Sequence, residues 1–238
     1  MSTPKTSFTP ALRFRFLTPL YDHVVRLTTR ERYFKSLLVE DALIGDNSVV
    51  LDVGCGTGTL LREIARRAPS ARLTGLDADP AILEIAHRKL RQTQAPCELI
   101  QGSSTDMPFA DGAFDHVVSS LFFHHLSAAD KQTTLGEMVR VLRPGGSLHI
   151  ADWGRPTGPV QRSAFYLVQL LDGFETTQEH TIDRLSKRMV DAGLTDVTEI
   201  AQVRTILGTL RLFRAGKGPV SRSNTDDSQR RSEMGVLS

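Results

Sequence analysis

Short apolar runs alternate with amphipathic helical patterns along most of the chain. The run 48–53 predicts a buried strand, and Leu60 and Ile64 in the segment 59–69 mark one face of a helix directly after it. Further apolar runs of strand length follow at 71–78, 97–102, 114–120 and 147–153. Strands that alternate with helices at this spacing favour βαβ crossovers, and therefore a mostly parallel sheet with helices on both faces.

Capping signals mark the ends of the predicted helices. Asp79 followed by Pro80 is typical of a helix N-terminus, because the carboxylate caps free backbone N–H groups and proline fits the first turn. Ser127 with Asp130 three residues later predicts a capping box. The turn 143–146 contains Pro and two Gly, so we expect it to separate this helix from the next strand.

The pattern changes in the last third of the chain. Ile182 and Met189 mark one more amphipathic helix, which Gly193 closes. Two strand-like runs then follow in close succession, at 195–206 and 208–217. Because so few residues separate them, we expect a terminal antiparallel hairpin.

The segments divide into three predicted parts. Residues 1–45 form a leader with lid helices, 46–217 form the main domain, and 218–238 form a polar tail without periodicity that we expect to be disordered. The leader has no acidic residue before Asp22, which is typical of a transit peptide, but a loose N-terminus explains it as well and is the favoured interpretation.

Composition narrows the possible functions. The formal net charge of +2 is spread along the chain, so a nucleic-acid partner is not expected. Two cysteines are too few for a disulfide framework, which fits a reducing compartment, and we expect a cytoplasmic protein. No apolar run reaches the length of a membrane span.

Three alternate glycines follow the first strand, in the stretch LDVGCGTG. A dinucleotide site would place its third glycine at position 59, where the chain has Thr59. Asp52 at the end of the strand would serve a pyrophosphate poorly and a cationic ligand well. Asp77, one βα unit later, suits a ribose diol in either kind of site.

Together these motifs resemble the class I S-adenosylmethionine-dependent methyltransferases, over nearly all of 49–217. The stretches LDVGCGTG, GLDADP and LRPGGSLHI carry the resemblance, with the segment 102–126 between them. It implies a three-layer Rossmann-like α/β fold, with a seven-stranded, mostly parallel sheet whose last strand is antiparallel. It also implies S-adenosylmethionine as cofactor, with S-adenosylhomocysteine as product. The implied cofactor-binding residues are Asp52, Gly54, Cys55, Gly56, Gly58, Asp77, Ala78, Ser103, Ser104, Ser119 and Ser120.

One position departs from the pattern of the family. Relatives commonly carry an aspartate that binds the adenine amine where this chain has Ser103. A serine hydroxyl accepts a hydrogen bond without supplying charge, so adenine is held more weakly here or by Asp106 instead. The backbone N–H of Ser104 is also available to the ring.

The candidate catalytic residues are His124, His125, Asp152 and Tyr21. A general base is needed only if the acceptor must lose a proton, and His124 is as well explained by this role as by a structural one. For His125 a structural role is favoured. Asp152 either orients an acceptor hydroxyl or caps a helix, and the resemblance puts Tyr21 in an N-terminal lid, 16–38, near the methyl group. In the same lid, Arg30 or Arg32 would lie near the carboxylate of the cofactor.

The absence of other signatures limits the acceptor class. The chain lacks the Asn/Asp-Pro-Pro-Tyr/Phe loop of amine methylation, and we find no set of acids for a metal. The remaining group is similar to the small-molecule methyltransferases of ubiquinone and menaquinone biosynthesis. Aromatic residues would then form an apolar pocket, or else belong to the ordinary core; they are Phe122, Phe123, Trp153, Phe165 and Tyr166.

Three functional hypotheses follow. The first is C- or O-methylation of a small apolar or aromatic molecule. The second is a catalytically silent S-adenosylmethionine-binding partner of another enzyme. The third, a nicotinamide oxidoreductase, is disfavoured by Thr59 and Asp52. The sequence does not predict an oligomeric state.

Overall fold

A seven-stranded sheet forms the centre of the molecule. The computed structural model describes residues 30–154, 184–205 and 208–219. The strands are β1 (Val49–Val53), β2 (Arg72–Asp77), β3 (Cys97–Gln101), β4 (Phe114–Ser120), β5 (Leu142–Trp153), β6 (Leu194–Arg204) and β7 (Thr209–Lys217). Their order is β3-β2-β1-β4-β5-β7-β6, with β7 antiparallel to both neighbours and the pairs from β3 to β5 parallel.

Helices cover both faces of the sheet. They are α1 (Glu31–Ala42), α2 (Thr59–Arg67), α3 (Pro80–Leu90), α4 (Ala128–Val141) and α5 (Leu185–Asp191), with a 3₁₀ turn at Phe123–His125. Apolar residues of α1, α2 and α3 form one buried cluster, and those of α4 and α5 form a second on the opposite face. This confirms the predicted three-layer α/β fold and the terminal hairpin.

The predicted caps are largely confirmed. The carboxylate of Asp79 accepts a hydrogen bond from the N–H of Ala81 at 2.8 Å. The hydroxyl of Ser127 accepts from the N–H of Asp130 at 3.1 Å and donates to the Asp130 carboxylate. The capping box therefore closes through the two side chains.

The predicted turn at 143–146 is wrong in one respect. Helix α4 leads directly into β5, which begins at Leu142 and includes the turn residues. Leu142 pairs with Phe114, and the next pair is Ser147 with His116, so the intervening residues bulge out of the ladder. The glycines allow this excursion, and Gly145 has a φ of 74°.

Several predictions lie outside the described residues. They concern Tyr21, most of the leader, the aromatic pair Phe165 and Tyr166, Ile182 and the tail beyond 219. The division at 45 and 217 therefore stays a prediction. Within α5, Leu185 and Met189 are buried as their spacing predicts, and Gly193 follows with a φ of 92°.

A buried histidine lies in the middle of β5. The Nε2 of His149 is 2.9 Å from the hydroxyl of Ser147, which also contacts His116 at 2.8 Å. Its Nδ1 lies 3.1 Å from a carboxylate oxygen of Asp41 without hydrogen-bond geometry. Burial, together with the nearby His116 and Arg214, lowers the pKa of His149 to about 3.

This depressed pKa makes folding sensitive to acid. An unfolded histidine titrates near pH ~6.5, so the unfolded chain takes up a proton that the folded chain refuses, and stability falls as the pH drops from about 6.5 towards 3. We expect His149→Gln to flatten the decline of Tm between these limits. The matched control is His87→Gln, which replaces an exposed histidine. Parallel curves of Tm against pH for the two variants would show that His149 is not the group that makes folding sensitive to acid.

Candidate active site

The polar residues predicted for the site lie where adjacent parallel strands end. Asp52, Asp77 and Asp152 stand at or next to the carboxyl ends of β1, β2 and β5, and Ser120 ends β4. These strands are neighbours in the sheet order, so the sheet brings the three carboxylates to one edge. Ligands of open α/β sheets bind at this edge.

The glycine loop after β1 requires glycine for two reasons. Gly54, Gly56 and Gly58 all have positive φ, between 53° and 72°. A Cβ on Gly54 would lie 2.2 Å from a ring carbon of Phe122, an overlap that excludes any side chain. A Cβ on Gly56 would meet nothing within 4 Å, so the backbone there faces open space that a ligand can approach.

Asp52 is buried without a hydrogen-bond partner. It is 1% exposed, and neither carboxylate oxygen finds a donor among the residues that the structure describes. Burial raises its pKa to about 7; the positive charge of Lys35 opposes this shift and the negative charge of Asp77 adds to it. A buried carboxylate in this state is suited to a cationic ligand.

Asp77 holds the glycine loop in place. One carboxylate oxygen accepts from the N–H of Gly56 at 2.9 Å, and the other accepts from the N–H of Asp79 at 3.0 Å. Burial is the main reason why its pKa is raised, although these hydrogen bonds act in the opposite direction. The carboxylate is half-buried, and each oxygen keeps a lone pair for a further donor. Ala78, next in the chain, accepts from the side chain of Gln101 through its carbonyl.

A buried lysine lies between α1 and the start of α2. The Nζ of Lys35 donates to Glu31 at 2.7 Å and to the hydroxyl of Thr59 at 2.6 Å, and Thr59 donates to Glu31. Thr59 is the residue directly after the glycine loop. The sequence analysis missed Lys35, because Glu31 and Lys35 at i and i+4 are typical of an exposed helical ion pair.

The two serines of the next loop are engaged locally. The exposed hydroxyl of Ser103 is 2.8 Å from that of Thr105 and accepts from the Thr105 N–H. Ser104 is tied to Thr134 of α4 at 2.9 Å. Asp106 is exposed and forms an isolated bridge with Ser103 through the backbone.

The serines that end β4 differ in orientation. Ser119 is fully buried and donates to the carbonyl of Val53 at 2.8 Å, a contact that ties β4 to β1. Ser120 is half-buried at the last position of the strand. The side chain of Ser119 is therefore structural, and Ser120 is the one of the pair placed at the edge.

Asp152 organises the turn that follows β4. Its Oδ2 accepts from the N–H groups of Phe122 and His124, at 3.1 and 3.2 Å. Its Oδ1 lies 2.7 Å from the Nδ1 of His124 and accepts from the N–H of Trp153. Burial alone would raise its pKa, but the charge and hydrogen bond of His124 and the N–H of Trp153 outweigh it, and the pKa is lowered.

The ionised Asp152 fixes the tautomer of His124. A carboxylate only accepts hydrogen bonds, so the Nδ1 of His124 must carry the hydrogen that joins them. In the neutral imidazole the lone pair then lies on Nε2, which is the arrangement of a general base. Asp152 thus accepts from backbone N–H groups of the turn, as a cap does, and it also orients a histidine, a contact that the sequence did not predict; a role towards an acceptor hydroxyl stays a prediction.

Strained backbone leads into this turn. Leu121 has a φ of 55°, which is unfavourable for a leucine, and its N–H donates to the carbonyl of Ala151 at 2.8 Å. The left-handed residue turns the chain so that the next N–H groups point at Asp152. Strain of this kind is often found at functional sites.

His125 lies behind His124. Their ring centroids are 3.9 Å apart. Burial and the neighbouring His124 are the main reasons why the pKa of His125 is lowered to about 3, so it stays neutral. This environment is consistent with the structural role favoured for His125.

Comparison with known proteins decides the family. A protein-family model described as a methyltransferase domain matches residues 50–146 of this chain. A demethylmenaquinone methyltransferase of Thermus thermophilus is 34% identical over 65% of this chain and 69% of that relative. A ubiquinone/menaquinone biosynthesis C-methyltransferase, UbiE, of Geotalea daltonii is 32% identical over 60% of this chain and 62% of that relative. The chain thus spans about two thirds of the length of these relatives.

The chain belongs to the class I S-adenosylmethionine-dependent methyltransferases. The fold agrees, because the solved structure of the YcgJ protein from Bacillus subtilis matches with a TM-score of 0.65 at 17% identity, over 79% of this chain and 99% of that one.

Some of the site residues predicted for this methyltransferase have side chains that are buried in the core and are not available at the edge of the sheet. Cys55 is buried, and burial with the charges of Asp52 and Asp77 raises the pKa of its thiol far above the usual range. Only the backbone of Cys55 is thus available to a ligand. Phe123 belongs to the core, whereas Phe122 and Trp153 are half-buried.

The two predicted arginines differ in their surroundings. The guanidinium of Arg30 lies over the ring of Tyr33, 4.7 Å from its centroid. Arg32 is exposed on the side of α1 that faces α2. Lys35, rather than either of these arginines, donates a hydrogen bond to the residue directly after the glycine loop.

The described residues contain neither a metal cluster nor a membrane-spanning helix. No group of three or more His, Cys, Asp or Glu side chains there could hold a metal ion. None of the helices in that part of the methyltransferase is long and apolar enough to cross a membrane.

The raised pKa of Asp52 predicts a specific dependence of stability on pH. In the folded chain, the pKa of Asp52 is about 7, which is above that of an unfolded aspartate. The free energy of unfolding therefore falls as the pH rises from the pKa of the unfolded state to that of the folded state, and it stays low at higher pH. Asp52→Asn cannot ionise, and we expect it to raise the free energy of unfolding at pH ~8 by roughly 1 to 4 kcal/mol.

Urea unfolding at pH ~5 and ~8 measures this effect, with the exposed Asp46→Asn as control. The free energy of unfolding of Asp52→Asn should exceed that of the unmodified protein by more at the higher pH than at the lower. An equal difference at both pH values would show that Asp52 does not titrate in this window.

Proposed function

We propose that this methyltransferase transfers a methyl group to a ring carbon of a small aromatic acceptor of the quinol type. The observation that carries the proposal is the pair of Asp152 and His124, which places an imidazole lone pair at the same sheet edge as the buried Asp52. The names of the relatives from Thermus thermophilus and Geotalea daltonii support a quinone-like acceptor and carbon methylation.

The residues at the edge fit S-adenosylmethionine as the cofactor. When bound, it supplies an activated methyl group on a positively charged sulfur. Asp52 provides an unpartnered buried carboxylate for the cationic end of this molecule, and the open backbone at Gly56 admits close approach. The remaining lone pairs of Asp77 would accept the ribose hydroxyls.

The adenine end has fewer donors and acceptors prepared for it. The Ser103 hydroxyl is already shared with Thr105, and Ser104 is bonded to Thr134. The exposed carboxylate of Asp106 is therefore the charged acceptor that we assign to the adenine amine. This assignment takes the place of the aspartate that relatives commonly carry at position 103.

The acceptor needs a base to become nucleophilic at carbon. A quinol hydroxyl that loses its proton delivers electron density to the adjacent ring carbon. That carbon would form the new bond to the methyl group as the methyl–sulfur bond breaks, with S-adenosylhomocysteine as leaving group. The ring would then regain aromaticity by losing the hydrogen of the methylated carbon as a proton to solvent. His124 would take the hydroxyl proton on Nε2, and the ionised Asp152 would stabilise the resulting imidazolium. Half-buried Phe122 and Trp153 offer apolar surface for the ring, and Tyr21, Phe165 and Tyr166 remain candidates for the rest of the pocket.

Calorimetry with S-adenosylhomocysteine tests the cofactor assignment. Asp77→Ala removes a charged acceptor, and we expect binding to weaken by roughly 1 to 3 kcal/mol. Glu84→Ala, an exposed carboxylate on α3, removes the same charge as a control and should leave the affinity unchanged. Equal affinities of the two variants would place the ribose elsewhere.

Transfer of labelled methyl groups to reduced demethylmenaquinone tests the base. We expect His124→Gln to lower the rate by about 10²- to 10⁴-fold while S-adenosylhomocysteine still binds, because only the proton acceptor is lost. His87→Gln, an exposed histidine on α3, is the control. Full activity of His124→Gln would remove His124 from the reaction, and tight cofactor binding without any labelled product would contradict the proposed activity.

A further inference from the structure

A groove runs along the outer side of α2, away from the sheet. Its volume is about 830 Å³, which is within the range of small-molecule sites. Helix α1 forms one wall, and the loop 92–94 after α3 closes the far end. None of the three glycines of the loop after β1 and none of the three edge aspartates lines it.

The groove is strongly basic for its size. Five cations line it, Arg32, Lys35, Arg62, Arg66 and Arg67, against two carboxylates, Glu31 and Glu63. The excess of three positive charges exceeds the formal net charge of the whole chain, which is +2. Concave surfaces with one sign of charge concentrate ligands of the opposite sign.

Two of the arginines have no neutralising partner in the part of the chain that the structure describes. Glu63 binds Arg66 and Arg67, and Lys35 is held by Glu31. No hydrogen bond or ion pair joins the side chain of Arg32 or Arg62 to any other described residue, and both residues are exposed. Arg32 lines the groove from α1 and Arg62 lines it from α2.

We propose that this groove is a second ligand site, which binds a phosphate-bearing anion. Guanidinium groups present a planar fork of donors that matches phosphate oxygens in a bidentate manner. Exposed amide side chains of Gln92 and Gln94 line the far end and add neutral donors. A soluble phosphorylated molecule and a phospholipid headgroup share this chemistry.

None of the described residues that line the groove belongs to the glycine loop. The ammonium of Lys35, which lines the groove, is engaged by Glu31 and by Thr59, the residue directly after that loop. A phosphate ligand should therefore bind together with S-adenosylhomocysteine. The inference does not depend on the identity of the methyl acceptor.

Inorganic pyrophosphate is the probe for a soluble source. Calorimetry at low ionic strength compares the full chain with Arg32→Gln/Arg62→Gln and with Arg72→Gln/Arg88→Gln. The latter two arginines are exposed outside the groove, so both double variants lose the same charge. We expect the groove variant to bind at least about tenfold more weakly, because charged hydrogen bonds are lost, and the control to stay close to the unmodified protein. Circular dichroism and Tm establish that each variant folds.

Sedimentation with phosphatidylglycerol vesicles, against phosphatidylcholine vesicles, tests the lipid source. Vesicle binding that only the groove variant loses, without pyrophosphate binding, would assign the phosphate to a lipid headgroup and support the site. Equal losses in both double variants, or no binding of either probe to the unmodified protein, would overturn the proposal. Competition between pyrophosphate and saturating S-adenosylhomocysteine would also overturn it, since the anion would then occupy the cofactor site.

Discussion

The candidate site depends on a carboxylate that the fold buries and leaves without donors. Asp52 occupies the penultimate position of a central strand, where β2 and β4 flank it and helices cover the sheet. The negative charge is costly in such a place unless a cation compensates it. Lys35 lowers this cost from a distance but forms no hydrogen bond with Asp52. The folded chain therefore stores an unsatisfied charge at the point where its family binds a cationic cofactor.

Three aspartates at one sheet edge acquire different properties from their surroundings. Asp52 has no hydrogen-bond partner and a raised pKa, Asp77 accepts two backbone N–H groups, and Asp152 accepts from three backbone N–H groups and a histidine. The same side chain is thus unpartnered at one position, a support for the glycine loop at the second and the orienting partner of a histidine at the third. Environments that shift the pKa values of like groups apart are the usual way in which one site divides its roles.

Lys35 interacts with residues at the carboxyl ends of the strands and also lines the outer groove. Its charge acts on Asp52, and its ammonium binds the first residue of α2. It also lines the basic groove, together with Arg32 and Arg62, which are exposed. In the proposed anion site, the charge of Lys35 is already paired with Glu31, so Arg32 and Arg62 are the cations left to the ligand.

The sequence by itself determined the order of strands and helices, the caps at Asp79 and Ser127, and the two aspartates of the cofactor motifs, because periodicity and turn chemistry are local properties. It also indicated the terminal hairpin, since two strand patterns lay close together. The tertiary structure alone decided which polar groups are satisfied. Ser119 proved to bind Val53, Cys55 to face the core, and Asp152 to hold His124, while Lys35 became buried although its spacing from Glu31 is that of a surface pair. Burial and hydrogen bonding depend on residues that are distant in the chain, and no local pattern encodes them.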